Sequence, residues 1–304
     1  MTKILVTGAN GQVGHALKNA LQEYELVFAV RNRLSPRDFT IDLSNPASIR
    51  QTVEAVKPDI IINPAAYTAV DKAEDEKELA TQINHHALKA FGSVCQELAI
   101  PIIHFSTDYV FDGSGMEPKN EKQPTKPVNH YGLSKRDGEV ALLNTQCDAI
   151  ILRTSWVFSA HGKNFVKTML NLGQSRESLS IIYDQMGAPT SAEFLSQMVL
   201  QILKNKSNPK ESISANKGIY HLTCAGEASW FDFANEIFAL ARMHNFPLKV
   251  NQVSPIPTSN YPTPALRPLN SRLDCSKFEQ VFGVCRTDWR DALADIFPSL
   301  LQEL

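Results

Sequence analysis

Tyr131 and Lys135 stand four residues apart in HYGLSK, where a stretch with helical periodicity begins. That spacing puts both side chains on one helix face, one turn from each other. A phenol with an ordinary pKa of about 10 exchanges protons poorly at neutral pH, but a neighbouring ammonium stabilises the phenolate and draws the pKa towards the working range. The pair could therefore protonate a carbonyl oxygen as hydride reaches its carbon, with Tyr131 as the acid and Lys135 tuning it. A third group must hold that oxygen while negative charge develops on it. The segment PIIHFSTDYVFDG offers Thr107, where an apolar run turns abruptly polar at Ser106, Thr107 and Asp108. Ser106 is expected to support that turn. Tyr109 has Gly113 rather than Lys four residues on, so it reads as site lining, and His104 and His130 are explained by the strand and helix without a chemical role.

Tyr and Lys at this spacing also arise by chance, so position relative to other motifs decides. TGANGQVG sets Gly8, Gly11 and Gly14 directly after the first apolar run. Backbone N–H groups of such a loop and of the helix it opens can cradle a pyrophosphate, which makes Gly8, Asn10, Gly11, Gln12, Val13 and Gly14 the expected dinucleotide loop. The second strand ends in AVRNR, with Arg31 and Arg33 and no carboxylate to bond ribose hydroxyls, which favours NADPH, with NADH as the second choice. Asp42 and Leu43 in TIDLSNP are candidates for the adenine side, and Ala65, Ala66 and Tyr67 for the wall along which a flat cofactor lies. Lys135 would also reach the nicotinamide ribose, beside Tyr131.

These residues need strands and helices to bring them together. Apolar runs Ile4–Thr7, Glu25–Val30, Asp59–Asn63, Pro101–Phe105 and Asp148–Leu152 alternate with helical stretches Gln12–Glu23, Ala47–Val56, Glu76–Leu98 and Tyr131–Leu143. Asn45-Pro46 supplies an N-cap followed by Pro at the first helical position. Near-continuous strands such as DIIIN fit a parallel sheet covered on both faces, so the fold class is α/β, a doubly wound Rossmann-like sheet. A further unit, Ala192–Lys204 and Gly218–Leu222, extends it. The remaining segments read as a smaller discontinuous substrate region: a helix at Phe165–Leu172, an apolar run Leu179–Ile182, the aromatic SWFDFANEIFALA, a proline-rich stretch from Pro255 to Pro268 and a final helix near Trp289–Leu300. The division is 1–155 plus 191–223 for the dinucleotide domain and 156–190 plus 224–304 for the substrate domain. KNKSNPKESISANKG reads as a surface loop.

The 304 residues, 43% hydrophobic, suffice for such cores, and the net charge of −2 from 30 basic and 32 acidic residues offers no field for nucleic acid or an anionic membrane. The N-terminus is apolar only from Ile4 to Val6, too short for a signal or a span, so a cytoplasmic protein is expected. Five scattered cysteines without C-x-x-C spacing read as reduced thiols.

The chain resembles the dTDP-4-dehydrorhamnose reductase family of extended short-chain dehydrogenases/reductases. The likeness runs through GANGQVG, DIIINPAAYTAVDKAE, HFSTDYVFDG, YGLSK, ILRTSWVF, NFVKTML, DQMGAPT and YPTPALRPLNSRL, essentially the full length. It implies reduction by NADPH of the C4 ketone of dTDP-6-deoxy-L-lyxo-4-hexulose to dTDP-L-rhamnose, with Thr107, Tyr131 and Lys135 as the catalytic triad. It also implies that Asp108 and Trp156 contact the sugar. Some members hold magnesium at a dimer interface through glutamates; here Ala16 stands at one such position while Glu193 is retained, which puts the metal in doubt, leaves no metal ligand assigned, and leaves monomer and homodimer open. Two alternatives stay open as well. One is a nucleotide-sugar epimerase or dehydratase, although Tyr109 stands where a dehydratase commonly has a second carboxylate. The other is a non-catalytic NADP-binding regulatory subunit, like the β subunit of methionine adenosyltransferase.

Overall fold

The structure is a computed structural model that describes residues 1–304 except Leu34 and Arg37. Its strands β1 (Lys3–Thr7), β2 (Glu25–Val30), β3 (Phe39–Thr40), β4 (Ile60–Asn63), β5 (Ile102–Thr107) and β6 (Ala149–Thr154) join the Gly218–His221 strand in one parallel sheet. The order is Gly218–His221, β6, β5, β4, β1, β2, β3. Strand order reverses between β1 and β4, the switch point at which open α/β sheets bind ligands.

Alternation within the strands builds one core on each face. Ile4, Val6, Ile60, Ile62, Ile103 and Phe105 join one buried cluster, while their neighbours Leu5, Ile61 and Ile102 join the other. Because both faces are covered, β4 reads IIIN without a polar residue until its end. On the first face lie α1 (Gln12–Ala20) and the Ala192–Lys204 helix, which pack together. The second face is covered by α2 (Pro46–Val56), α4 (Ala87–Leu98) and α5 (His130–Asn144). Asn45 caps α2 by accepting from the Ala47 N–H at 3.0 Å, with Pro46 at the first position, as its sequence predicts.

Three local features depart from the sequence reading. The expected helix over 76–98 is α3 (Lys77–Thr81), a π-helical turn (Gln82–His86) and α4. The turn presents the Asn84 backbone to α5 so closely that a Cβ added at Gly138 would lie 2.0 Å from the Asn84 carbonyl oxygen. Strand β5 also runs on through Ser106 and Thr107, still paired with Arg153 and Thr154 of β6. The expected surface loop over 204–218 contains a helix, Pro209–Ala215, started by Asn208 and Pro209 in the same cap-plus-proline arrangement as α2 and anchored by buried Ser212 and Ile213.

Residues 156–190 and 224–304 supply the Phe165–Ser175 and Trp230–Met243 helices and a parallel pair, Ser178–Ile182 with Gln252–Ile256. All five cysteines are free, four of them buried and Cys285 exposed. Among the described residues no helix is long and apolar enough to cross a membrane. Gly138→Ala should lower stability by about 1–3 kcal/mol, the usual cost of overpacking, measured as a lower urea midpoint with an unchanged slope.

Candidate active site

The C-terminal ends of the strands open onto a cleft of about 910 Å³. Lining it are the loop residues Gly8, Asn10, Gly11, Gln12, Val13 and Gly14, then Arg31, Asp42, Leu43, Ala65, Ala66 and Tyr67, and at the other end Thr107, Asp108, Tyr131, Lys135 and Trp156. Of the residues singled out for the cofactor and the reaction, all but Arg33 border this one space.

The glycine loop fits a pyrophosphate. Gly8 has φ +60°, and a Cβ added at Gly14 would lie 2.2 Å from the Gly8 carbonyl oxygen, so loop and helix pack at a distance no side chain permits. The α1 N-terminus has Gly11 as its N-cap and no side-chain cap, which leaves its first N–H groups for a ligand. Arg31 is exposed on the rim. Arg33, expected beside it, instead donates to Thr40 Oγ1 at 3.0 Å and does not line the cleft. Asp42 accepts from the Ser44 N–H and hydroxyl at 2.9 and 2.7 Å, bonds that hold its carboxyl below the usual range, helped by Arg31.

At the other end, Thr107 closes β5. Its hydroxyl accepts from the Tyr109 N–H at 3.2 Å and donates to Asp108 Oδ1 at 3.1 Å, and it borders the same cleft as the Tyr131 phenol. Asp108 is 3% exposed, and its Oδ2 has no hydrogen-bond partner among the described residues. Burial pushes its pKa up to about 6, against hydrogen bonds from Ser271 and Thr107. Lys135 Nζ donates to the Phe105 carbonyl oxygen at 2.7 Å and lies 3.1 Å from His104 Nε2. Burial draws its pKa down to about 8, opposed by Glu139.

Three expectations need correction here. Tyr131 is not drawn towards neutrality: burial pushes its phenol further up, with Asp108 and Tyr109 adding to the effect and the Thr107 hydroxyl opposing it. Inside the protein the loss of hydration outweighs the opposing effect, so the phenol stays protonated. His104, read as structural, makes direct contact with Lys135. Ser106, expected to support a turn, instead stays in β5 and donates to Glu139 Oε1 at 2.5 Å, while Arg153 grips both oxygens of Glu139 at 2.9 and 2.6 Å.

Several cleft features escaped the sequence reading. Trp156, with φ +48°, stacks on Trp230 at 3.6 Å between centroids and 11° between planes. Trp230 in turn donates to Gln185 Oε1 at 3.0 Å. The aromatic run after Ser229 was a visible signal, but no spacing connects it with Trp156. Asn84 bonds both backbone groups of Tyr67 at 2.8 and 3.0 Å and donates to Ser134 Oγ at 3.0 Å. Arg267 pairs with Asp71 at 2.6 Å and reaches the Tyr109 hydroxyl at 3.4 Å. Among the described residues no group of three or more His, Cys, Asp or Glu side chains could hold a metal ion. Ala16 is buried, and Glu193 accepts from Ser159 at 3.0 Å.

Asp108 has a measurable signature. A carboxyl whose folded pKa lies above its unfolded value favours folding fully only below the unfolded pKa, and that contribution is lost as pH rises through about 6. Asp108→Asn should therefore raise stability relative to the parent at pH 8 more than at pH 4, by about 1–3 kcal/mol, read by thermal melting at both pH values.

The RmlD substrate binding domain family matches residues 1–301. The chain is 43% identical to the dTDP-4-dehydrorhamnose reductase of Escherichia coli over 94% of each chain. Among solved structures, the dTDP-4-dehydrorhamnose reductase of Clostridium acetobutylicum superposes with a TM-score of 0.88 at 36% identity, covering 99% of this chain and 100% of that one. The Bacillus anthracis reductase, solved in complex with NADP, gives 0.86 at 34% identity, covering 98% and 99%. With agreement in sequence and in fold over nearly its whole length, the chain belongs to the dTDP-4-dehydrorhamnose reductase family.

Proposed function

We propose that this protein reduces the C4 ketone of dTDP-6-deoxy-L-lyxo-4-hexulose with NADPH, giving dTDP-L-rhamnose, and does so in the cytoplasm. The observation that carries the reading is that Thr107, Tyr131 and Lys135 line the same cleft that begins at the uncapped α1 N-terminus.

When bound, the dinucleotide supplies the hydride. The residues of the chain do the rest. Gly8, Asn10, Gly11, Gln12, Val13 and Gly14 hold the pyrophosphate by backbone N–H groups, and Arg31 faces the adenosine end, where a 2′-phosphate would neutralise it. Asp42 and Leu43 border the adenine, and Ala65, Ala66 and Tyr67 form the wall beside the rings. Thr107 holds the keto oxygen, and Tyr131 transfers its phenolic proton to that oxygen as the C4 carbon gains hydride. Lys135 supplies positive charge as the phenolate forms. Asp108 and Trp156 bind the sugar: the free Oδ2 of Asp108 is an acceptor waiting for a hydroxyl donor, and the Trp156–Trp230 stack gives an apolar surface. In this scheme residues 1–155 plus 191–223 bind the cofactor and 156–190 plus 224–304 the nucleotide sugar.

Purified protein mixed with NADPH and the enzymatically prepared 4-keto sugar nucleotide should oxidise the cofactor, followed by its absorbance. Tyr131→Phe should lower kcat by roughly 10²-fold or more; absence of oxidation by the parent, or equal rates in the variant, refutes the reading. Arg31→Ala should raise KM for NADPH roughly tenfold while changing that for NADH little, since only NADPH offers the extra phosphate.

A further inference from the structure

Four buried polar side chains run in file beneath the cleft. Thr7 Oγ1 donates to Asn63 Oδ1 at 2.5 Å. His104 Nδ1 lies 3.0 Å from the main-chain oxygen of Asn63 and 3.1 Å from its Nδ2, and His104 Nε2 lies 3.1 Å from Lys135 Nζ. None of the four is more than 2% exposed. Thr7 ends β1 immediately before Gly8, Asn63 ends β4, and His104 of β5 pairs with Asn63 in the sheet register. Neither hydride delivery nor protonation of the keto oxygen calls on Thr7, Asn63 or His104.

The chain of contacts selects one tautomer. With the proton on Nδ1, the ring donates to the Asn63 carbonyl and leaves Nε2 bare to accept from the Lys135 ammonium. The opposite tautomer would set an N–H against that ammonium. Burial and the nearby Lys135 hold the His104 pKa well below the ordinary histidine value, so the ring is neutral. Lys135 then has two of its three N–H bonds fixed, one on the Phe105 carbonyl and one on His104, and the third is left for the cleft it lines.

We propose that His104 is a positioning residue of the reduction: its neutral ring, set as the Nδ1–H tautomer by the main-chain oxygen of Asn63, keeps Lys135 charged and aimed at the cleft. The inference rests on the reading of Lys135 as a catalytic group. The titratable and charged groups around Lys135 are His104 from β5, Tyr131 and Glu139 from its own helix, and Arg153 from β6, which pairs with Glu139. With burial already drawing Lys135 to about 8, losing one acceptor changes its charge near neutral pH.

The test follows Lys135 directly by NMR titration of protein carrying 13C-labelled lysine, its resonance assigned with Lys135→Arg, alongside the pH profile of kcat. His104→Asn keeps a polar group near Nδ1 but is too short to reach Lys135, whereas His104→Gln carries an amide oxygen close to the place of Nε2. For His104→Asn, the Lys135 midpoint should fall by about half a pH unit or more, the alkaline limb of kcat should shift the same way, and kcat at pH 8 should drop roughly tenfold with KM little changed. His104→Gln should keep the parent midpoint and limb. An unmoved midpoint in His104→Asn, or identical behaviour of the two variants, overturns the proposal. If His104→Asn does not melt cooperatively, His104→Phe, which keeps a ring and removes the acceptor, is read in its place. Because the NMR midpoint needs no turnover, a parent protein inactive on the sugar nucleotide would refute the reductase reading while the titration still decides the role of His104.

Discussion

A charge with almost no access to water governs the architecture around the cleft. Lys135 is 2% exposed, and a buried ammonium survives only where acceptors and opposite charge replace the lost hydration. The acceptors come from β5, as a main-chain oxygen and an imidazole. Opposite charge comes from Glu139, itself buried and gripped by Arg153. Helix α5 therefore turns a polar face inward: Tyr131, Ser134, Lys135 and Glu139 are all buried. A helix without an apolar stripe gains little from hydrophobic burial, and hydrogen bonds hold it in place: Asn129 at its start, Ser134 against Asn84, Glu139 against Arg153. Gly138 lets the backbone of the π turn close on it.

The two ends of the cleft treat negative charge in opposite ways. At the glycine loop, backbone N–H groups and Arg31 are arranged to welcome it. At the end formed by Thr107, Asp108 and Tyr131, desolvation makes it costly: Asp108 is held near 6 and Tyr131 is kept protonated. One contiguous space thus offers both an anion site and a proton source. The net charge of −2 plays no part in this division, because each end acts over a single contact shell.

Much of this was legible from sequence because local rules apply to it. The glycine loop, Asn45-Pro46 and the apolar strands are decided within a few residues, by backbone sterics, capping and sheet burial. The Thr107–Tyr131 meeting was legible too, since both follow strands of one parallel sheet. Contacts across long separations were not. Arg267 finds Asp71 across a separation of 196 residues, and Trp230 reaches Trp156 from the start of a helix in a later, separate segment. The phenol's direction of shift was misread because a spacing reports proximity and says nothing of burial. The strand end at Phe105 was misplaced for a related reason: Ser106 and Thr107 look like a loop, yet they stay in the ladder because their side chains have buried polar partners.

Asn129 does two jobs with one amide. Its oxygen accepts from the Gly132 N–H at 2.8 Å, starting α5, and its nitrogen donates to the Leu266 carbonyl at 2.7 Å in the proline-rich segment. Helix α5, which carries Tyr131, and the proline-rich segment are thereby fastened to the same side chain. The two bonds use different atoms of the amide, so the cap of α5 and the anchor of the segment are set by one side-chain orientation. The helix start that presents Tyr131 is thus tied to a stretch of chain 137 residues away.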